Sequence, residues 1–301
     1  MKILRWAGRV AGGLVAVVVV ILGLVYLLSQ RHFDRRYAVP GHDVAVVTDS
    51  ATLARGAHVA TTRGCAGCHG ADLAGQTFID APPVARLYAA NLTAGAGGVA
   101  RRYTSAADWE RAIRQGVAPD GRPLFFMPSQ EFYAIGDEDL GALIAYIQAR
   151  PAVDHVQGSQ SIGPIGRALF LAGKLPLIPA ELVDHAAPRP SSPTPGPTRE
   201  YGMYLAATCT GCHGAGLSGG RIPGAPPAMA IPLNITPDTI TGIGRWGRDD
   251  FAKAIREGIR PDGRRLKPDM PYREYAQLSD DEVTAIWLYL SRVPAKAFGG
   301  R

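Results

Sequence analysis

The sequence predicts an all-α chain in which one apolar N-terminal helix precedes two small helical units of the same kind. Three observations carry that reading. Val10–Leu28 is an uncharged run of 19 residues, "VAGGLVAVVVVILGLVYLL". The hexapeptide "CAGCHG" at Cys65–Gly70 returns as "CTGCHG" at Cys209–Gly214, using all four cysteines of the chain. Helix caps and 3.6-residue periodicity recur around both copies, whereas no stretch alternates over the length of a strand.

Nineteen residues rising about 1.5 Å each give roughly 28 Å of helix, close to the hydrocarbon thickness of a bilayer. A secretory signal has a shorter apolar region and a small-residue cleavage site; here the run leads into "SQRHFDRRY" instead. Residues 1–37 therefore read as a retained single-span anchor, against a cleaved signal or a buried core helix. Arginines flank both ends (Arg5, Arg9; Arg31, Arg35, Arg36), so charge alone does not orient it. The net charge of +6 is concentrated here, at +5 for residues 1–37, −2 for 38–150 and +3 for 199–301. Interfacial arginine accounts for most of the excess, and a nucleic-acid partner is not expected.

The remainder is a duplication. "APP" at Ala81–Pro83 returns at Ala225–Pro227, and "NLT" at Asn91 returns as "NIT" at Asn234. "DWERAIRQGVAPDGR" at Asp108–Arg122 returns as "DFAKAIREGIRPDGR" at Asp250–Arg264. Ser105 or Asp108 opens a helix that ends before Gly116, and its twin runs from Asp249 to Glu257 before Gly258. Asp137 opens a helix with Leu140, Leu143, Ile144 and Ile147 on one face; its twin, from Ser279, carries Val283, Ile286, Trp287 and Leu290. Short helices precede the cysteines, around Leu53–Ala60 and Tyr201–Ala206. The domains expected are 38–151 and 199–301. The linker 152–198 joins an apolar segment, Ile162–Leu182, to the five-proline stretch Ala187–Pro197, which should be extended. The apolar segment is expected to pack over the first unit, the alternative being a place in the membrane interface.

Three chemistries compete for Cys-x-x-Cys-His. A thioredoxin-like pair needs a βαβ pattern, and none is visible. A zinc site could pool four thiolates, but it leaves the following histidines and the duplication without a task. Covalent haem attachment uses all six residues: Cys65 and Cys68, or Cys209 and Cys212, add to two vinyl groups, and His69 or His213 reaches the iron. Haem would also supply the apolar bulk missing from a chain with 8% aromatics, 36 glycines and 24 prolines. Two covalently bound haems c are expected.

The sixth iron position decides what a haem does, because a methionine thioether closes it and raises the potential. Met127 is the one methionine of the first unit and precedes Pro128, 58 residues after His69. Met270 repeats the Met-Pro context 57 residues after His213. Both read as iron ligands. Met203 and Met229 have no counterpart and default to packing. His58 aligns with Tyr204, and His155 and His185 lie outside the repeat, so bis-histidine ligation is not expected. Trp109, Trp246 and Trp287 read as core or haem-wall filling.

With these motifs in place, each unit resembles a class I cytochrome c, over roughly residues 50–151 and 199–295. The whole is similar to membrane-anchored dihaem cytochromes c. The units also resemble the cytochrome subunits of bacterial membrane-bound alcohol and gluconate dehydrogenases, which usually carry three haem motifs where this chain has two. The resemblance implies that carbonyls near Pro82/Pro83 and Pro226/Pro227 accept the proximal-histidine hydrogen bond. It also implies that each terminal helix crosses the helix before the cysteines, giving Leu143, Ile147, Trp287 and Leu290 packing roles. The function expected is electron transfer from a membrane-associated donor, a dehydrogenase or quinol-oxidising complex, to a periplasmic or membrane acceptor such as an oxidase or soluble cytochrome. No catalytic residue is assigned. The open alternative is a dihaem redox enzyme, a peroxidase or thiosulfate-type oxidase, with one exchangeable haem ligand. Because covalent haem attachment in bacteria takes place outside the cytoplasmic membrane, the expected location is that membrane, single-pass, with the haem units on the periplasmic side.

Overall fold

The computed structural model describes residues 2–226 and 228–301, and the fold is 41% helical. Helix α1 (Lys2–Phe33) contains the apolar run. The first unit follows as α2 (Ser50–Thr62), α3 (Cys65–His69), α4 (Ala106–Gln115), α5 (Ser129–Phe132) and α6 (Asp137–Gln148). Helix α7 (Pro164–Leu171) and a 3₁₀ turn at Pro179–Glu181 lead to the second unit. That unit repeats the order as α8 (Arg199–Ala206), α9 (Cys209–His213), α10 (Arg248–Glu257), α11 (Tyr272–Tyr275) and α12 (Asp280–Leu290).

The caps behave as the sequence predicts. Ser105 and Asp108 form a capping box on α4, which ends on Gly116 at φ +66°; α10 ends on Gly258 at φ +69°. Within each unit the first and last helices cross at a glycine. A Cβ on Gly56 would collide with the Ala142 carbonyl, and one on Gly202 with that of Ala285. That close approach seals two cores, one around Leu140, Leu143, Ile144 and Ile147, the other around Val283, Ile286 and Leu290 with Trp287 partly buried. The arginine of the repeated "AIR" closes each unit on itself. Arg114 donates to the Ile135 carbonyl and to Asp137 (2.8 Å), and Arg256 donates to Leu278 O and to Asp280 (2.7 Å). The loops bearing Met127 and Met270 are pinned between these anchors.

One feature departs from the expected absence of strands. β1 (Gln76–Ala81), β2 (Ala85–Ala89) and β3 (Ser161–Ile162) form a small antiparallel sheet in the order β1-β2-β3. β1 is almost wholly exposed and carries a register shift between Thr77 and Ile79, so it has no apolar alternation to betray it. The segment Ile162–Leu182 divides in two. Leu175, Leu177, Ile178 and Ala180 are buried against Ala85, Leu87, Val117 and Phe33, as expected of a segment packed over the first unit. Helix α7 instead lies against the last turns of α1. The proline-rich stretch has no regular structure and follows the first unit, with Arg189 paired to Asp137 (2.6 Å) and Ala187 O accepting from the Tyr133 hydroxyl (2.6 Å).

The two units meet through a reciprocal contact. His58 on α2 hydrogen-bonds Glu282 on α12 (2.7 Å), and Tyr204 on α8 donates to Asp139 on α6. His58 and Tyr204 occupy matching positions of the repeat, as do Asp139 and Glu282, so one contact is made twice, once in each direction. The junction is thus quasi-two-fold, the arrangement of an isologous dimer built into one chain.

The hydrogen bond to Glu282 raises the His58 pKa against the opposing effect of burial. On Glu282, burial acts upward but is outweighed by the hydrogen bonds from His58 and Ser279, and the net shift is down. A raised histidine stabilises below its unfolded pKa and loses that contribution as pH rises through the folded value. A lowered glutamate stabilises above its unfolded pKa and loses that contribution as pH falls through the folded one. The junction is therefore firmest at mildly acidic pH and loosens on the alkaline side. Protease nicking of the 187–197 stretch should accelerate as pH rises through the His58 value, and His58→Gln should flatten that rise.

Candidate functional site

Each unit encloses an apolar cavity, of about 300 Å³ in the first and about 310 Å³ in the second. The first is lined by Cys65, Cys68, His69 and Met127, with Trp109, Leu124 and Phe126 among its walls. The second is lined by Cys209, Cys212, His213 and Met270, with Trp246, Phe251 and Leu266. All eight residues singled out in the sequence thus line cavities, four to each.

The elements place them for local reasons. Each Cys-x-x-Cys-His is a single helical turn that stops on a left-handed glycine, Gly70 at φ +82° and Gly214 at φ +79°. One turn brings both thiols and the imidazole to the same side. His69 Nδ1 lies 2.7 Å from Ala90 O, and His213 Nδ1 lies 2.6 Å from Leu233 O. A carbonyl only accepts, so Nδ1 carries the proton and Nε2 keeps its lone pair. Burial holds both imidazoles below the ordinary histidine range, partly opposed by those hydrogen bonds, so they are neutral donors at neutral pH.

The acceptor carbonyls correct the expectation placed on Pro82/Pro83 and Pro226/Pro227. Pro82 and Pro83 form the turn between β1 and β2, and Pro227 lies outside the described residues. The acceptor is instead the residue before the repeated asparagine. Asn91 accepts from Thr93 N (2.9 Å) and Oγ1 (2.8 Å) and donates to Val153 O (2.8 Å). Asn234 does the same with Thr236 (2.9 and 2.8 Å) and Lys296 O (2.7 Å). Each asparagine rivets the acceptor loop to the chain beyond the terminal helix, and "N-L/I-T" was the available signal. Asn91→Ala removes three hydrogen bonds from a buried loop and should cost about 2–4 kcal/mol, read as a lower denaturant midpoint of the first unit.

The thiols are not those of a redox dithiol or a zinc site. Burial pushes Cys65 and Cys209 up to about 12, whereas a reactive Cys-x-x-Cys holds a low-pKa thiolate. The four sulfurs are divided between two cavities and do not converge on one ion. The other candidate histidines fall away from the cavities. His155 contacts Ala74 O (2.9 Å), His185 contacts Gln115 (2.7 Å) and His58 sits at the junction. Met203 is 56% exposed on the outer face of α8, so it is not packing. Met229 does not pack in the core either, but joins the wall of the second cavity.

Two features were not legible as site features. Trp109 is buried at 2% exposure, lines the first cavity, and its indole Nε1 has no hydrogen-bond partner. An unsatisfied donor in the wall of an apolar cavity calls for an acceptor on a ligand, which a haem propionate would supply. The second cavity carries Arg260, Arg265 and Lys267, with Asp269 in the same wall and Asp262 paired to Arg260 (3.2 Å). The isolated bridges Val117–Pro123 and Ile259–Arg265 align the two loops, and the first unit has Ala118, Pro123 and Phe125 where the second has these cations. Paired thiols, a neutral imidazole, a thioether, apolar walls and an orphan donor fit haem c. The residues that could hold it are Cys65, Cys68, His69 and Met127 in the first cavity, and Cys209, Cys212, His213 and Met270 in the second.

The sites adjoin across the junction. Arg63, next but one before Cys65, is 8% exposed and lines the first cavity. Its guanidinium donates to Leu205 O (3.1 Å), Tyr204 O (3.4 Å) and the hydroxyl of Thr208, which immediately precedes Cys209. From the other side, Glu131, just after Met127-Pro128, lies against Gly211 of the second Cys-x-x-Cys turn.

The family comparisons agree with this geometry. The cytochrome c family matches residues 53–150, and the family described as cytochrome c oxidase, cbb3-type, subunit III matches residues 198–290. Both units are cytochrome c domains. Cytochrome c domains hold haem covalently, which matches the paired thiols. The first unit ends its family match within two residues of α6, and the second matches through the end of α12. Among curated relatives, the fructose dehydrogenase cytochrome subunit of Gluconobacter japonicus is 39% identical over 113 residues, 34% of this chain and 23% of that protein. The cytochrome c subunit of the quinone alcohol dehydrogenase of Gluconobacter oxydans (strain 621H) is 42% identical over 94 residues, 29% and 20% of the two chains. Its counterpart in Gluconacetobacter polyoxogenes is 28% identical over 278 residues, 82% of this cytochrome chain and 57% of that protein. The chain thus spans less than two thirds of the length of these relatives.

Proposed function

We propose that the chain is a membrane-anchored dihaem electron relay, with residues 1–37 as anchor, 38–151 and 199–301 as cytochrome c domains and 152–198 as the connection between them. Cys65 and Cys68 hold one haem c and Cys209 and Cys212 a second; His69 with Met127, and His213 with Met270, are the iron ligands. Bound haem c supplies a one-electron couple. The chain's residues do the rest. Ala90 and Leu233 fix the histidine tautomer, the methionines close the sixth positions, the apolar walls exclude water, and Arg63 holds the two attachment turns side by side.

The observation that carries this reading is the completeness of both cavities. Each has two thiols, one bare imidazole nitrogen and the thioether of a Met-Pro pair; the second has Met229 in its wall as well. Three cations in the second wall against Arg63 in the first favour the reduced state there, so the second domain should have the higher potential, with electrons passing from the first domain to the second. The donor is a membrane-associated dehydrogenase or quinol-oxidising complex, and the acceptor a periplasmic or membrane oxidase or a soluble cytochrome. The named dehydrogenase relatives support the first of these donors. The anchor's length and apolar character support a single span; covalent haem attachment, which in bacteria takes place outside the cytoplasmic membrane, supports a periplasmic side for the domains.

Detergent-solubilised membranes should yield a red protein whose haem is reduced when the substrate of a co-purifying dehydrogenase is added. A colourless protein released without detergent would defeat both the haem and the anchor assignments.

A further inference from the structure

Helix α7 has its polarity inverted. Its single charge, Arg167, turns inward onto α1. The guanidinium stands 4.2 Å from the Tyr26 ring centroid and donates to Ser29 Oγ (2.7 Å) and Gln30 Oε1 (3.0 Å). Phe170 packs on Phe33 with ring centroids 5.3 Å apart. Gly166 seats the helix so closely on the first domain that a Cβ there would strike the Val84 carbonyl. The outer face is Pro164, Ile165, Ala168, Leu171 and Ala172, all exposed and all apolar, at the i, i+3, i+6/i+7 spacing of one helical stripe. Ile165 is 50% exposed and Leu171 37%. A short surface helix that hides its charge and shows its apolar side is not solvated as water requires.

Its place along α1 says what covers it. The apolar run ends at Leu28, and α7 touches α1 between Tyr26 and Phe33. Seven residues of helix are roughly 10 Å, and the headgroup layer on each side of the hydrocarbon is about 5–8 Å thick. If α1 spans a bilayer, α7 is held at headgroup depth by the same contacts that hold it to α1. Lys174, exposed three residues past Leu171, is then placed to meet lipid phosphate.

We propose that α7 lies in the membrane interface with the stripe Ile165, Ala168, Leu171 and Ala172 set into lipid, so that the bilayer seats the first cytochrome domain directly and not only through the anchor. This rests on α1 being a membrane span. A helix inserted by one narrow face adds modest affinity; its effect is on orientation. The haem cavity of the first domain is joined to this seat, since Phe125 lines the cavity and packs edge-on against Phe33 at 5.3 Å. The seat therefore fixes how the first cavity faces a donor in the membrane.

The test uses the full-length holoprotein in vesicles of phosphatidylethanolamine and phosphatidylglycerol, with a benzophenone amino acid introduced singly at position 18, 168 or 257. Val18 lies mid-anchor, and Glu257 is exposed at the end of α10. Irradiation followed by mass spectrometry should give lipid adducts at 168 in a yield comparable to those at 18, and none at 257. Adducts at 18 with none at 168 overturn the seating of α7 while leaving the anchor intact. Cross-links from 168 to a second polypeptide in place of lipid overturn it in favour of a protein partner. Absence of lipid adducts at 18 as well overturns both the anchor and the seat.

Discussion

Met127→Ala and Met270→Ala should each remove half of the ferric sulfur-to-iron absorption band while leaving two haems per chain attached. In the proposed relay attachment depends on Cys65, Cys68, Cys209 and Cys212, which sit on the one-turn helices α3 and α9, whereas each methionine arrives from a loop almost sixty residues later. Removing the thioether therefore changes ligation without touching the tether. Axial-ligand identity governs haem potentials over roughly 0.8 V, and methionine lies on the high side. Each variant should lose a substantial part of that range at its own haem and almost nothing at the other, because the ligand sets lie in separate cavities. The loop itself is held independently by Arg114 or Arg256, so the fold should survive. Met203→Ala, at an exposed position outside both cavities, serves as the control and should change neither spectrum nor potential. Potentiometric titration followed in the visible band separates the two haems.

Arg63→Ala should uncouple the domains while leaving each of them folded. The guanidinium is buried, has no carboxylate partner among the described residues, and serves two carbonyls and one hydroxyl of the other domain. Its face also lies 4.9 Å from the Tyr204 ring centroid. Hydrogen bonds to a charged donor contribute about 1.5–3 kcal/mol each, and the truncation leaves their acceptors facing a void. A loss of about 3 kcal/mol in docking is expected, more than a hundredfold in the docking equilibrium constant. The connection 152–198 keeps the domains tethered, so the chain does not dissociate. Flash reduction of one haem should show transfer to the other slowed by at least about tenfold. Arg63→Lys should recover only part of the rate, since an ammonium lacks the planar fork of the guanidinium and its stack on the Tyr204 ring. The His58–Glu282 and Tyr204–Asp139 contacts remain and set the residual coupling.

Much of this architecture is written in the duplication. Matching of "AIRQG" with "AIREG" placed both α4 and α10, and Met-Pro in register picked Met127 and Met270, two of the three methionines that line cavities. Local signals of that sort survive without tertiary context because each is a cap, a turn or a one-turn helix. The failures came where partners are distant or faces are mixed. β1 escaped because both of its faces are wet, and the proximal-histidine acceptor was sought at a shared "APP" although the anchoring side chain is the shared asparagine. The junction escaped for another reason. His58 and Tyr204 play one role with different residue types, so the symmetry lies in position and not in identity. Trp109 read correctly as wall filling, but its unpaired indole nitrogen becomes visible only once the surrounding groups are in place.

The account stands most directly on the redox titration of the purified full-length protein, with haem and iron counted per chain. It predicts two covalent haems, two one-electron steps, and an upper step that shifts in Met270→Ala and stays put in Met127→Ala. One haem per chain, or a ferric haem in the unmodified protein whose sixth position takes up cyanide as readily as that of Met127→Ala, would contradict it.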